Sequence, residues 1–290
     1  MRLATQTYAP QRKLGFEEGM KAIKAAGFDS VDLSLFRMDQ DDNPFVLDTW
    51  HDEAMREREI LDSIGLECTQ AHGPHIFDFA DPWIMENTVM PRMLRSMEIA
   101  SIMGASIIVI HPLHHLDYIE HGKKLREMSY EYMRRLLPKA EELGIVIGYE
   151  NMWQRDRERG CIIANTGGFA EDLCEDIDRL SSPYIRACLD VGHSALVGEK
   201  PENAIRILGR ERLKALHIHD NNLREDQHTL PFLGRLDWKA IASALSDIAY
   251  EGEFTYEADS FLMNLPSSAV PAALRLMERV GRSIIEGGNQ

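Results

Sequence analysis

Short runs rich in β-branched and aromatic residues alternate with longer amphipathic segments along the whole chain, and the alternation repeats eight times. This rhythm constrains the fold more than any other feature, because strands separated by helical crossovers must lie parallel in one sheet. Strands are expected at residues 2–7, 30–35, 67–72, 106–111, 145–150, 185–190, 213–219 and 253–257, with helices at 16–26, 52–64, 88–103, 121–143, 168–180, 201–208, 237–249 and 269–286. Several of the strands, IVIGYE among them, are apolar on both faces, as strands sandwiched between an interior and a helical jacket must be. The segments AAGF, SIGL, IMGA and ELGI each set a glycine where a helix gives way to a strand, and Asp237 stands where the helix beginning WKAIASAL needs an N-cap. Eight such units imply an α/β fold, a (β/α)8 TIM barrel. With no Pro- or Gly-rich linker or low-complexity tract in 290 residues, a single domain over 1–290 is expected.

The strand ends carry the chemistry. IVIGYE closes on Glu150, IRACLD on Asp190, LKALHIH carries His217 and His219, and FTYE closes on Glu257. One carboxylate at a strand end is usually a cap for the next helix, but four metal-binding side chains in register on the carboxyl rim of a barrel need another reason. Spacing adds two more positions: 72 to 111 and 111 to 150 are both 39 residues, and 150 to 190 is 40, so His72 and His111 occupy the same strand-end place two units and one unit before Glu150. Beyond the strands stand His193 in LDVGH, and Asp226 and His228 in EDQH. Carboxylate oxygens mixed with imidazole nitrogens suit a divalent metal: Mn, Mg or Co at an oxygen-rich site, Zn at a histidine-rich one.

Other classes are disfavoured. The four cysteines show no CxxC pair, which argues against an iron–sulfur or structural zinc site and matches the usage of reduced, cytoplasmic proteins. No membrane-spanning run or apolar leader is apparent, and the longest apolar stretches are only strand-length. A net charge of −15 repels phosphate backbones and anionic membranes, so no nucleic acid is expected as partner. Long loops at 36–51, 73–87, 151–167, 220–236 and 258–268 would wall the carboxyl rim, where Phe77, Trp83, Trp153 and Phe232 are candidate apolar surfaces. The segment WQRDRERG, with Arg155, Arg157 and Arg159, reads as a solvated charged loop.

The motifs HP at 111–112, YEN at 149–151, CLDVGH at 188–193, HIHD at 217–220, DQHTLPFLGRLDW at 226–238 and YEAD at 256–259, in this order and spacing, resemble the xylose-isomerase-like (AP-endonuclease-2-type) TIM barrels. That family includes sugar and sugar phosphate isomerases and epimerases, inosose dehydratase and endonuclease IV, and the resemblance covers nearly the whole chain. It implies a metal-dependent isomerase or epimerase of a sugar, sugar phosphate or related polyhydroxy carbonyl compound, with a small sugar-like substrate and a homo-oligomeric assembly as is common among relatives. It implies one divalent metal held by Glu150, Asp190, His217 and Glu257, and proton transfer through an enediolate by Glu150 and Glu257. Such bases need a carboxyl pKa raised by the barrel interior. His217 fits the family pattern as the ligand and His219 as a substrate or outer contact, although both face the same side of the strand.

The same family offers two alternatives. An inosose-type dehydratase would use the same metal. An endonuclease IV-like phosphodiesterase would hold three zinc ions on His72, His111, Glu150, Asp190, His193, His217, Asp226, His228 and Glu257, all present here. Against it stand the acidic charge and the absence of a Gly-Ser-Arg segment after HIHD.

Overall fold

Strand-forming runs find each other in sequence order. The structure, a computed structural model, describes residues 1–75 and 81–287. Its strands are β1 (Arg2–Gln6), β2 (Ser30–Ser34), β3 (Glu67–His72), β4 (Ile107–Ile110), β5 (Val146–Glu150), β6 (Trp153–Asp156), β7 (Cys161–Ala164), β8 (Ile185–Asp190), β9 (Leu213–His217) and β10 (Glu253–Tyr256). Eight of them pair in parallel in the order β10-β1-β2-β3-β4-β5-β8-β9. The remaining seam is bridged where Ile218 N donates to Thr255 O at 2.8 Å and Glu257 N donates to Ile218 O at 3.0 Å. The result is a nearly closed (β/α)8 TIM barrel.

Each expected strand and major helix is found, with ends shifted by a few residues. The helices Phe16–Ala26, Trp50–Ile64, Met90–Met103 and Tyr118–Leu143 stop at Gly27, Gly65, Gly104 and Gly144, all left-handed, which only glycine adopts without strain. Asp237 caps Trp238–Asp247 by accepting from Ala240 N at 3.0 Å. Leu3, Val31, Leu33, Ile108, Ile110, Ile147, Tyr149, Phe254 and Tyr256 fill the layer between strands and helices. Burying each such side chain contributes about 1.5–3 kcal/mol. On the opposite face of the strands, Val109, Cys188 and Ala215 form a separate small cluster that fills the barrel interior.

One expectation is corrected. The segment WQRDRERG is not a plain solvated loop: β6 and β7 form an antiparallel hairpin, with Trp153 opposite Ala164 and Asp156 opposite Cys161. The cause lies in the turn, where Asp156 accepts from Glu158 N and Arg159 N, both at 3.0 Å, and pairs with the Arg159 guanidinium at 2.9 Å. A short helix at Asp259–Met263 also occupies a rim segment expected as loop, and further short helices lie at Tyr8–Leu14 and Val191–Leu196. Phe77 lies outside the described residues. Among the described residues no helix is long and apolar enough to cross a membrane.

Candidate metal centre

Alternation along a strand sends every second side chain inward, and the rim is where inward side chains meet. Glu150, Asp190, His217 and Glu257 meet there, with one donor atom from each lying within 4.8 Å of the others. His217 Nδ1 sits 3.0 Å from Glu150 Oε1 and 3.0 Å from Glu257 Oε2. All four residues are buried, Glu257 being the most open at 5%. The tips of β5 and β8 are locked together by Asn151, whose side chain accepts from Asp190 N at 2.7 Å and donates to Asp190 O at 3.0 Å. Asp190 also has the ordinary capping role, its Oδ1 accepting from His193 N at 2.7 Å.

The electrostatics distinguish this cluster from packing. Among the described residues, the ion-pair partners of these three carboxylates are imidazoles, never Lys or Arg. Glu150 Oε2 and Glu257 Oε2 are buried and face only imidazole nitrogens, His111 Nε2 and His217 Nδ1 at 3.0 Å, without a well-aligned hydrogen bond. Buried charge left this way costs several kcal/mol unless something compensates it. A cation among the donors would do so, and the orphaned atoms fit one. The expected raised carboxyl pKa is corrected: burial pushes Glu150 and Glu257 up, but the adjacent His217, with His111 and His228, outweighs it and holds both well below the usual carboxylate range. His217 is correspondingly raised, burial opposing and the surrounding carboxylates prevailing.

A second set of donors adjoins the first. His193, His219, Asp226 and His228 also bring donor atoms within 4.8 Å of one another. Asp226 Oδ2 lies 3.0 Å from His228 Nε2 and 3.3 Å from His193 Nε2, and accepts the Trp153 indole N–H at 3.3 Å. His219 is fully buried with Nε2 3.0 Å from Asp190 Oδ1, and its ring stacks on His228 at 4.0 Å between centroids. Its place depends on Gly192, where a Cβ would fall 2.0 Å from the His219 ring. Burial works to lower His193, yet Asp190 and Asp226 raise it to about 10. A third set comprises His72, His75 and His111, with His72 Nε2 3.1 Å from His111 Nε2 and Glu150 Oε2 3.0 Å from His111 Nε2.

Sequence reasoning missed His75, which sits in a rim loop, and the inward polar residues Gln6, Asp32 and Gln70 on β1, β2 and β3. Gln6 Nε2 donates to Glu257 Oε1 at 3.0 Å. A cavity of about 350 Å³ opens over the centre, lined by Tyr8, Phe36, Arg37, His75, His228, Glu257 and Asp259. Asp259 is carried up to about 7 by burial and by Glu257. A larger cavity, about 690 Å³, lies aside between residues 114–120 and the β6–β7 hairpin and touches none of the centre's donors. The chemistry favours the smaller one. Of the candidate wall residues, Trp153 reaches the second donor set, whereas Trp83 and Phe232 are exposed and line neither cavity.

Comparison with known proteins agrees with this architecture. A family profile described as xylose isomerase-like TIM barrel matches residues 20–280. D-psicose 3-epimerase of Enterocloster bolteae is 26% identical over 251 residues, covering 83% of this chain and 76% of that one. A probable endonuclease 4 of Shouchella clausii is 27% identical over 200 residues, covering 61% and 62%. The chain spans little more than half the length of several other curated relatives, 58%, 54% and 55%. A solved D-tagatose 3-epimerase-like protein superposes with a TM-score of 0.76 at 18% identity over the full length of both chains, a likeness of fold.

Proposed function

The chain belongs to the xylose isomerase-like TIM barrel family, and on that premise we propose that it is a divalent-metal-dependent epimerase or isomerase of a sugar or related polyhydroxy carbonyl compound. The observation that carries the reading is the buried pair Glu150 and Glu257, each with an oxygen 3.0 Å from His217 Nδ1 and with imidazoles as its ion-pair partners. The curated relative named a D-psicose 3-epimerase supports the substrate class. Glu150, Asp190, His217 and Glu257 would hold the cation, with Mn, Mg or Co favoured by three carboxylates in the set. When bound, the cation supplies Lewis acidity that makes the C–H beside the substrate carbonyl acidic.

The protein's own groups do the remaining work. Their low pKa leaves Glu150 and Glu257 ionised at neutral pH, so either carboxylate is ready to take a proton from that carbon. One removes it and becomes the neutral acid; the other, having taken up a proton from solvent, returns that proton on the opposite face for an epimerase or at the neighbouring carbon for an isomerase. Gln6 holds Glu257 in place through its 3.0 Å hydrogen bond. Tyr8 and Phe36, 5.5 Å apart between ring centroids, offer an apolar wall for the carbon chain of an open sugar. The test is deuterium uptake from solvent into a ketose pool, followed by mass spectrometry with the metal-loaded enzyme. Exchange is expected in the wild type and lost in Glu150→Gln and Glu257→Gln, and full exchange in either variant would sink the two-carboxylate mechanism.

A second reading has an observation of its own. The histidine-rich sets around Asp226 and His111 complete the donors of a three-zinc phosphodiesterase, and one curated relative is a probable endonuclease 4. The net charge of −15 opposes a DNA substrate, because displacing counterions from several phosphates needs a basic stripe. Elemental analysis separates the two: near one metal per chain favours the epimerase, and near three zincs with cleavage of an abasic-site duplex favours the hydrolase.

A further inference from the structure

Beneath the rim donors lies a polar layer. Gln6, Asp32 and Gln70 are register partners on β1, β2 and β3, all nearly inaccessible to solvent. Gln70 Nε2 donates to Asp32 Oδ2 at 2.8 Å, and Asp32 Oδ2 faces His217 Nε2 across the barrel at 3.5 Å. No Lys or Arg pairs with Asp32 among the described residues. His217 therefore has two unlike sides: Nδ1 faces Glu150 and Glu257, and Nε2 faces Asp32.

We propose that Asp32 is the positioning residue of the centre: it takes the His217 Nε2–H, fixes that tautomer, and so presents the Nδ1 lone pair upward to a divalent cation. This rests on the reading of His217 as one of the cation's donors. An imidazole can give its lone pair from only one nitrogen while the other keeps its proton, and an acceptor at the protonated nitrogen sets both the tautomer and the ring plane. Cys188 is the competing acceptor beside His217, but a thiol sulfur accepts hydrogen bonds only weakly. The carboxylate wins. Gln70 fixes Asp32 in turn, so the chain of contacts runs Gln70, Asp32, His217, cation. Placing a carboxylate there has a purpose that packing lacks, since a buried Asp held by one amide is otherwise destabilising.

The experiment titrates Co²⁺, read by its visible absorption, into metal-free wild type, Asp32→Ala, Asp32→Asn and Ser30→Ala, the last altering a buried residue of the same strand that bonds instead to Glu253. Asp32→Ala is expected to weaken Co²⁺ binding by roughly 10–100-fold, Asp32→Asn by less because its amide oxygen still accepts, and Ser30→Ala hardly at all. An Asp32→Ala protein that binds as tightly as wild type overturns the proposal, as does an equal loss in Ser30→Ala. A wild type that binds no Co²⁺ removes the metal reading, and this proposal with it. Should Asp32→Ala not fold, zinc-loaded wild type labelled with ¹⁵N decides: the His217 proton on Nε2 supports the assignment, and a proton on Nδ1 overturns it.

Discussion

Two buried carboxylate systems sit a few residues apart on the same rim, and they are built in opposite ways. Asp220, fully buried just after β9, accepts five N–H donors: Asn221 N, Phe232 N, Arg235 N, Leu236 N and the Trp238 indole, all at 2.8–3.1 Å. It gathers residues 220–238 into one fixed strap, tight enough that a Cβ on Gly234 would lie 2.2 Å from its Oδ1. Glu150 and Glu257, equally hidden, each leave an oxygen without a well-aligned hydrogen bond. A buried carboxylate whose lone pairs are all taken has nothing left to offer a ligand. One with open lone pairs among imidazoles is destabilising until something binds. Asp220 therefore has the bonding of an architectural residue, whereas the Glu150–Glu257 cluster keeps the donor atoms that the proposed cation would take.

The sharpest way to break this comparison is to neutralise both kinds. Glu150→Gln is expected to lower kcat by about 10²–10⁴-fold, the usual contribution of a proton-transferring group, measured as epimerisation or isomerisation of an open-chain ketose. Its metal-free fold should melt close to wild type, because one uncompensated buried charge has gone. Asp220→Ala should do the reverse, costing about 3–5 kcal/mol in urea unfolding because five buried donors lose their acceptor. Glu150→Gln destabilising the metal-free protein as strongly as Asp220→Ala would erase the distinction.

The same contrast explains what could be read from the chain. Glu150, Asp190, His217 and Glu257 were legible because each stands at or near the end of a strand-like run, and Gly27, Gly65, Gly104 and Gly144 marked helix ends before four of the barrel strands. The saturation of Asp220 was not legible, since its donors come from residues up to 18 positions away whose backbone conformation only the folded loop defines. Gln6, Asp32 and Gln70 were hidden for another reason. A barrel strand is buried on both faces, so alternation pairs them with one another but does not say which face looks into the barrel. The helix Tyr8–Leu14 carries Pro10, which reads as a loop signal but is tolerated in a first helical turn. In the β6–β7 hairpin, charged residues masked the strand pattern of CIIA.

Removing the metal gives an intermediate effect. If the open oxygens await a cation, chelation should lower the stability of the loaded protein by RT ln(1 + [L]/Kd), about 2.7 kcal/mol at a hundredfold excess of metal over Kd. Differential scanning calorimetry before and after dialysis against a chelator measures it, and restoring Mn²⁺ should restore the transition. Asp220→Ala should retain this metal-dependent increment if it folds, because the donors of Asp220 are four backbone amides and the Trp238 indole, none of them part of the centre. An increment lost in Asp220→Ala would join the two systems into one.

Glu57 supplies the smallest and most discriminating test, because it is a third kind of buried carboxyl. It lies on the helix Trp50–Ile64, 3% exposed, and its Oε2 is orphaned like those of Glu150 and Glu257. No imidazole is among its influences: burial, with Glu53 adding repulsion and Arg56 opposing, pushes it up to about 8. An orphaned oxygen thus fits two physical causes, a retained proton at Glu57 and, on the proposed reading, an open ligand position at Glu150. Because the folded pKa is raised above an unfolded value of about 4.3, the stability from Glu57 is fully present below about pH 4.3 and is lost as pH rises through about 8. Glu57→Gln keeps the shape and removes the titration, so the variant should gain on the order of 2 kcal/mol over wild type between pH 5 and pH 8 in urea unfolding. Parallel pH curves for the two proteins would mean that Glu57 is ionised in the fold, and that an orphaned oxygen alone does not separate a protonated carboxyl from a ligand.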